Sequence, residues 1–354
     1  MPANINAYVG RLAAWHNAGD VTGRLMSVDE IKRDKGFQYT VVKVQLRDHV
    51  GRKVDSWGTF RWNFTDKLAG DKSKAEFLAP VGSAYTIVHH FEAFDTGEAL
   101  MKAQVGAFVE TAGVLGKGER VWMLCDLKQS LHVGKDELKA YLLSTVSYDG
   151  KHVHHDYRLV TVRVVCQNTL AMALGEATNA IFTIRATPNA QDRVIKAREA
   201  LTAMGDDVKS LEDRLKFLAS RKVTREALGS IMDRLFPKTE TAVNQTRREN
   251  ILTEVLTAYE RDVKVIENYE SNDRNVFPEQ RGSAYNLLNG ITDYVDHSRG
   301  TAKGRGESAL FGTGDALKSK AFDLITAEAR KMPALEMASA TSYSWADTGL
   351  GIRN

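Results

Sequence analysis

Two hydrophobic periods divide the chain. Before about residue 188 apolar and β-branched residues alternate with polar ones, and clusters of turn residues interrupt them. FQYTVVKVQL at 37–46 and the run from Lys53 to Phe64 flank Asp48-His49-Val50-Gly51, which predicts a hairpin. ETAGVLGKGERVWMLCDL at 110–127 folds about Gly116-Lys117-Gly118, and Tyr141 to Val165 turns at Asp149-Gly150. TIVHHFEAF at 86–94 reads as a strand, with Asp95 and Thr96 capping the helix that follows, and Ala180 to Thr187 reads as another strand. Ser27, followed by Asp29 and Glu30, has the form of an N-cap with acids in the first helical turn, and Gly36 is expected to stop that helix.

One stretch joins the two periods. In TVRVVCQNTLAMAL at 161–174, Val162, Val164 and Cys166 form one face of a strand. Asn168 or Thr169 then caps a helix containing Leu170, Met172 and Leu174. From Asn189 onward apolar residues recur three and four apart, predicting long amphipathic helices. A helix over Gly282 to Gly300 carries Tyr285, Leu288, Ile291, Thr292 and Val295 as its apolar stripe, and a last helix runs from Asp315 to Met332. The predicted fold class is therefore α+β: an antiparallel sheet of hairpins with packed helices over 1–188, then a mostly helical region over 189–354.

Composition narrows the function classes. The 354 residues are 43% hydrophobic and 26% charged, enough apolar material for a sizeable core. Forty-eight basic against 45 acidic residues leave a net charge of +3, too small to point to nucleic acid by bulk electrostatics. Over 189–270 the two signs are equal in number, which suits solvated, salt-bridged helix faces. A phosphate ligand therefore requires local clustering of cations. No apolar run approaches the roughly 18 residues of a membrane span, and the N-terminus lacks the pattern of a secretory leader, so a cytoplasmic protein with no membrane partner is expected. Cys125 and Cys166 each sit in an apolar run and read as buried thiols.

Candidate chemistry falls in four places. Trp57 and Trp62 lie near Lys43 and Arg61, the pairing of rings and cations on which single-stranded nucleic acid stacks and neutralises its phosphates. The plainer reading is one face of a half-buried sheet. Arg163 and Gln167 flank the strand-to-helix junction capped by Asn168 or Thr169, where free N–H groups would hold an anion, and Arg163 and Asn168 are the candidates there. Arg299, Lys303 and Arg305 punctuate the glycine-rich loop RGTAKGRG at 299–306, which is able to close over phosphates or to act as a plain linker. Last, His152, His154 and Asp156 share one strand face, and Asp293, Asp296 and His297 sit on one helix flank; either set resembles a metal site only generically. The plainer readings are a solvated hairpin tip for the first set and, for the adjacent His89 and His90, a satisfied structural role.

Four blocks together resemble one family: AAWHNAG at 13–19, ETAGVLGKGERVWML at 110–124, TVRVVCQNTLAMAL at 161–174, and AYNLLNGITDYVDH with ESALFGTGDALKSKAFDLI at 284–325. Their order and spacing are similar to those of the phage- and plasmid-like proteins grouped as domain of unknown function 932. The chain departs from that pattern between about Asp55 and Ser83. The resemblance implies a mobile-element context, with replication and recombination proteins as neighbours, and carries no catalytic residues with it.

The expectation is thus a non-enzymatic single-stranded DNA-binding protein acting in recombination, strand annealing or replication. Lys43, Arg61, Arg163, Arg299, Lys303 and Arg305 contact phosphates in this reading, with Asn168 beside them and Trp57 and Trp62 stacking on bases. Homo-oligomerisation would extend a basic track that a chain of net +3 cannot build alone. No cofactor or metal is assigned. The rival expectations are a metal-dependent hydrolase or nuclease and a structural, host-partner-binding protein.

Overall fold

The computed structural model describes residues 5–10, 20–68, 71–102, 108–150, 155–163, 169–171, 181–183, 208–238, 241–268, 280, 282–301, 305, 308–309 and 312–335. Its strands are β1 (Ile5–Gly10), β2 (Asp20–Val21), β3 (Tyr39–Arg47), β4 (Lys53–Asn63), β5 (Glu76–Val81), β6 (Val109–Leu115), β7 (Arg120–Val133), β8 (Asp136–Ser147), β9 (His155–Arg163), β10 (Thr169–Ala171) and β11 (Ile181–Thr183). The helices are α1 (Val28–Arg33), α2 (Phe64–Leu68), α3 (His90–Lys102), α4 (208–219), α5 (Arg225–Leu235), α6 (Ala242–Asn268), α7 (Ala284–Asp293) and α8 (Thr313–Ala329). The class is α+β, with the helices after β11 in the C-terminal region, and no described helix is long and apolar enough to cross a membrane.

The large sheet has the order β10-β9-β8-β7-β6-β1-β2, and β11 also pairs with β9. Its centre is a meander of hairpins, each turned by glycine at positive φ: Gly116 and Gly118 between β6 and β7, Gly134 between β7 and β8, and Gly150 between β8 and β9. The β7–β8 hairpin is the longest, and a bulge at Lys128 interrupts it. Lys128 takes a left-handed φ of 55°, and its N–H donates to Asp126 at 2.8 Å.

The three-stranded sheet β3-β4-β5 lies against the large one. Thr59, completely buried, donates its hydroxyl to the Tyr148 carbonyl at 2.7 Å, and the Tyr85 hydroxyl donates to the Ser147 carbonyl at 2.8 Å. The expected strand over 86–94 is instead a connection that enters α3 at His90, so the helix begins five residues before the expected cap. The cause is a long-range contact. The His90 N–H donates to the Tyr148 hydroxyl at 2.8 Å, and its ring spans Tyr148 at 3.0 Å and the Phe37 carbonyl at 2.9 Å. A carbonyl only accepts, so Nε2 carries the proton and Nδ1 accepts from Tyr148. Burial holds this imidazole neutral, pushing its pKa down to about 3. His90 is thus a satisfied structural histidine.

The stretch 161–174 also departs from expectation. Thr169–Ala171 do not begin a helix. They form β10, antiparallel to β9 with Thr169 opposite Val162 and Ala171 opposite Val160. Pairing with β9 outweighs the helical propensity of leucine and alanine there, as tertiary partners routinely do. Cys166, Asn168 and the residues from Met172 to Leu174 lie outside the described residues. Cys125 is a free, buried thiol whose pKa burial pushes up to about 12. α1 forms as its sequence predicts: Ser27 and Glu30 make a reciprocal capping box, and Gly36 lies in the tight turn that follows.

Contacts cross position 188 freely. The Tyr285 hydroxyl donates to buried Asp136 on β8 at 2.7 Å, the His132 N–H donates to Glu212 on α4 at 3.2 Å, and Gln280 donates to the Val133 carbonyl. One hydrophobic cluster runs from Phe37 and Tyr157 through Val133 to Leu215, Tyr285 and Phe322. α7 is its hub. Rather than exposing a polar face, every residue from Ala284 to Thr292 is buried, because α6 and α8 pack on it as well as the sheet. Gly290 permits the approach of α6: a Cβ there would stand 3.0 Å from Tyr259 Cβ and 3.1 Å from its backbone.

Two glycines offer a contrast that tests this packing. A Cβ on Gly113 would meet the Trp122 ring at 2.7 Å inside the sheet, whereas one on Gly229 of α5 has nothing within 4 Å. Gly113→Ala is expected to lower the unfolding free energy by about 1–3 kcal/mol, and Gly229→Ala to raise it by about 0.5–1 kcal/mol. Urea midpoints at unchanged slope measure both.

Candidate functional site

The described C-terminal helices enclose an open cleft of about 790 Å³. Its apolar floor comes from Leu235 and Phe236 at the end of α5, Ile251 on α6, and Ala316 and Leu317 on α8. Tyr294 completes the floor from the widened helical turn 294–298 that follows α7, and its ring meets Phe236 edge-on at 6.2 Å. Arg248 holds the end of α5 on α6, donating to the Phe236 carbonyl at 2.6 Å and pairing with Asp233.

Above this floor stand Arg247, Arg299, Arg305 and Lys320, with Glu254 the one acid among the described lining residues. Each cation arrives by a different route. Arg247 is exposed on α6. Arg299 is fixed by 3.0 Å bonds to the hydroxyls of Ser308 and Thr313 at the start of α8. Arg305 donates to the carbonyl oxygens of Arg299 at 3.1 Å, Gly300 at 3.4 Å and Ser298 at 3.5 Å, which holds its side chain against residues 298–300. Gly300, at φ 70°, supplies the left-handed turn this needs. Lys320 donates to the Arg234 carbonyl at the end of α5, at 2.9 Å. These anchors fix where the guanidinium groups of Arg299 and Arg305 stand. Burial raises the pKa of the Tyr294 phenol, while Arg299 and Arg247 pull it down and Glu254 pushes it up.

The position of α8 depends on a set of buried charges beneath the cleft. Lys318 and Asp296 have no exposed side-chain surface and pair at 2.8 Å. Asp315, in the first turn of α8, meets Arg158 of β9 at 3.4 Å, and Arg158 in turn meets Asp156 at 2.8 Å. Asp156 is therefore a buried structural partner and not part of a solvated hairpin tip. His152 and His154 lie outside the described residues. Asp296 belongs to Lys318, so it does not join Asp293 and His297, themselves 3.9 Å apart, in a metal set. Among the described residues no cluster of histidine, cysteine and carboxylate side chains fits a metal ion.

The other expected contacts are dispersed. Trp57 and Trp62 lie on opposite faces of β4, opposite Gln45 and Thr40 on β3, and so form no common stacking platform. The Lys43 ammonium sits 4.9 Å from the Trp57 ring centre and donates to the carbonyls of Ser83 at 2.5 Å and Tyr85 at 2.8 Å. Arg61 stacks 4.2 Å over Tyr39 and donates to the Lys117 carbonyl at 2.9 Å. The Trp62 indole N–H donates to the Asp71 carbonyl at 3.1 Å. Both cations thus hold the small sheet against its surroundings. Arg163 closes β9 opposite Leu138, and Asn168 and Lys303 lie outside the described residues. Of the expected phosphate contacts, Arg299 and Arg305 meet at one site. Arg247 and Phe236 join them there without any local sequence signal, since each sits in a stretch of ordinary helical patterning.

The model of a family described as domain of unknown function (DUF932) matches residues 77–324, more than half of the chain. The match takes in every residue lining the cleft and leaves out β3 and β4. No curated protein and no solved structure matches the chain.

The charge set beneath the cleft gives a pH test. Burial pushes the Asp315 carboxyl from its ordinary 3.8 up to about 6, against the pull of Lys318 and Arg158 and with a further push from Asp296 and Asp156. The native state holds this proton more tightly than the unfolded chain. The group therefore adds stability as pH falls from about 7 towards 4, and that contribution is lost as pH rises through the folded pKa. Between pH 7.5 and 4.5 the stability of the natural protein relative to Asp315→Asn should grow by on the order of 2 kcal/mol. Paired urea melts across that range measure it, and a flat difference would mean the carboxyl is solvated.

Proposed function

We propose that this chain, which belongs to the family described as domain of unknown function 932, is a single-stranded DNA-binding protein of a phage or plasmid. In this reading it acts in recombination, strand annealing or replication. One observation carries it: Arg247, Arg299, Arg305 and Lys320 line one cleft, with a single opposing acid among the described residues, beside the rings of Phe236 and Tyr294. Phosphates need cations and bases need apolar or aromatic faces, and this open cleft offers both side by side. A chain of net charge +3 that gathers four cations at one place has concentrated its positive potential where a ligand enters.

Arg299 reaches the phosphates from the end of the widened turn, Arg247 and Lys320 reach them from the flanking helices, and Arg305 adds its charge beside Arg299. Phe236 and Tyr294 supply the surface for a base. Repetition of the cleft around a homo-oligomer would lengthen the track that a single copy offers.

Fluorescence anisotropy with a labelled single-stranded oligonucleotide at a series of salt concentrations tests the reading. Affinity should fall with a log–log slope of about −2 to −3, the value for three or four neutralised phosphates on a single strand. Arg247→Gln should weaken binding and flatten the slope by roughly 0.7. Absence of binding at low salt, or binding indifferent to salt, would remove the basis for the proposal.

A further inference from the structure

We propose that Tyr294 is a nucleophile: its hydroxyl attacks a phosphodiester of a single strand lying in the cleft and forms a reversible phosphotyrosyl link to one end of the broken strand. The proposal rests on the nucleic-acid reading above and adds an activity to it. The backbone gives the first argument. The turn over 294–298 is closed by the Arg299 N–H, which donates to the Tyr294 carbonyl at 2.8 Å, five residues back rather than four. In an ordinary α-helix a side chain five residues on points roughly 140° away. The wider turn reduces that angle, and Tyr294 and Arg299 both line the cleft. Widened turns of this kind are frequent at functional sites.

The neighbouring helix gives the second argument. Arg247 and Glu254 stand two helical turns apart on α6 with Ile251 between them, and this face borders the cleft where α6 packs on the widened turn. One helix thus brings both a cation and a carboxylate to the tyrosine. Access is the third. Phe236 meets the Tyr294 ring edge-on and the ring is buried, yet the hydroxyl makes no hydrogen bond to any described residue and is not sealed from water. Burial raises the pKa of this phenol, Arg299 and Arg247 lower it, and Glu254 raises it. The phenol is therefore protonated at neutral pH, and its attack needs a base. Glu254 is the carboxylate that stands there.

The step exchanges one phosphodiester for another. As the phenol oxygen bonds to phosphorus, its proton passes to Glu254, and the bond from phosphorus to the 3′ or 5′ oxygen of the strand breaks. That oxygen takes a proton from solvent and becomes a free hydroxyl end, while Glu254 returns one to solvent. Arg247 and Arg299 offset the negative charge that builds on the phosphoryl oxygens in the transition state. Attack by a hydroxyl end reverses the step and rejoins the strand, so no oxidant, reductant or energy donor is consumed.

The test incubates the full chain with random-sequence single-stranded oligonucleotides, labelled at each end, that carry a bridging phosphorothiolate on the 5′ or the 3′ side. The thiolate that leaves does not rejoin the strand, which traps the link. After denaturation in SDS a labelled protein band is expected, and mass spectrometry of its peptides should place the nucleotide on Tyr294. Tyr294→Phe should lose the band, and Glu254→Gln should form it about 100-fold more slowly. Thermal melts show whether each variant is folded, and the mapped peptide of the natural protein decides the question if one is not. A link mapped to another residue, a band that survives in Tyr294→Phe, or no link at salt concentrations where anisotropy shows the strand bound would overturn the proposal and leave strand binding standing. Neither binding nor a link would overturn both.

Discussion

An ammonium group with no exposure to water needs a carboxylate at hydrogen-bond distance, and Lys318 meets that need only while α7 and α8 lie so that Asp296 reaches it. The same helix carries Asp315 inward to Arg158 of the large sheet. α8 is thus tied at one turn to the sheet and at the next to the widened turn that follows α7, and its registry is set by charge as well as by apolar contact. Replacing such a pair with apolar side chains is often neutral or stabilising, so its value here lies in position. A shift of one residue along α8 would strand two buried charges. The cleft inherits that precision. Thr313, Leu317 and Lys320 stand on the outer side of the helix whose inner side is fixed in this way.

The hairpins were legible because their determinants are local. Glycines at positive φ mark the turns after β6, β8 and β3, and alternation marks the strands on either side. The capping box at Ser27 and Glu30 was equally plain. Where a distant partner decides, the sequence misled. Thr169, Leu170 and Ala171 form a good helical opening in isolation and a strand once β9 is beside them. His90 starts α3 because Tyr148 and Phe37, both far along the chain, satisfy its polar atoms. The family assignment was readable for a different reason: it rests on blocks of identity and order, which need no geometry.

The candidate site was half legible. The glycine-rich basic loop advertised Arg299 and Arg305, but nothing about Arg247 or Phe236 separates them from their neighbours, because charge balance on a solvated helix looks the same whether or not a cleft lies beneath it. The aromatic hairpin shows the converse. Its cations and rings suggest a binding surface in sequence, yet Lys43 and Arg61 spend their donors on backbone carbonyls of neighbouring segments. What stands around a cation in space decides what it can serve, and a one-dimensional reading does not contain that information.

The covering of β9 limits how copies of this chain can meet. Two short strands, β10 and β11, lie end to end along the same border of β9, and at the opposite border the described sheet finishes with the two residues of β2. Backbone donors and acceptors along β9 are already taken, so a neighbouring molecule gains little by adding a strand there. A strand added from a second copy would have to take another border, such as the outer side of β3 or β5 in the small sheet.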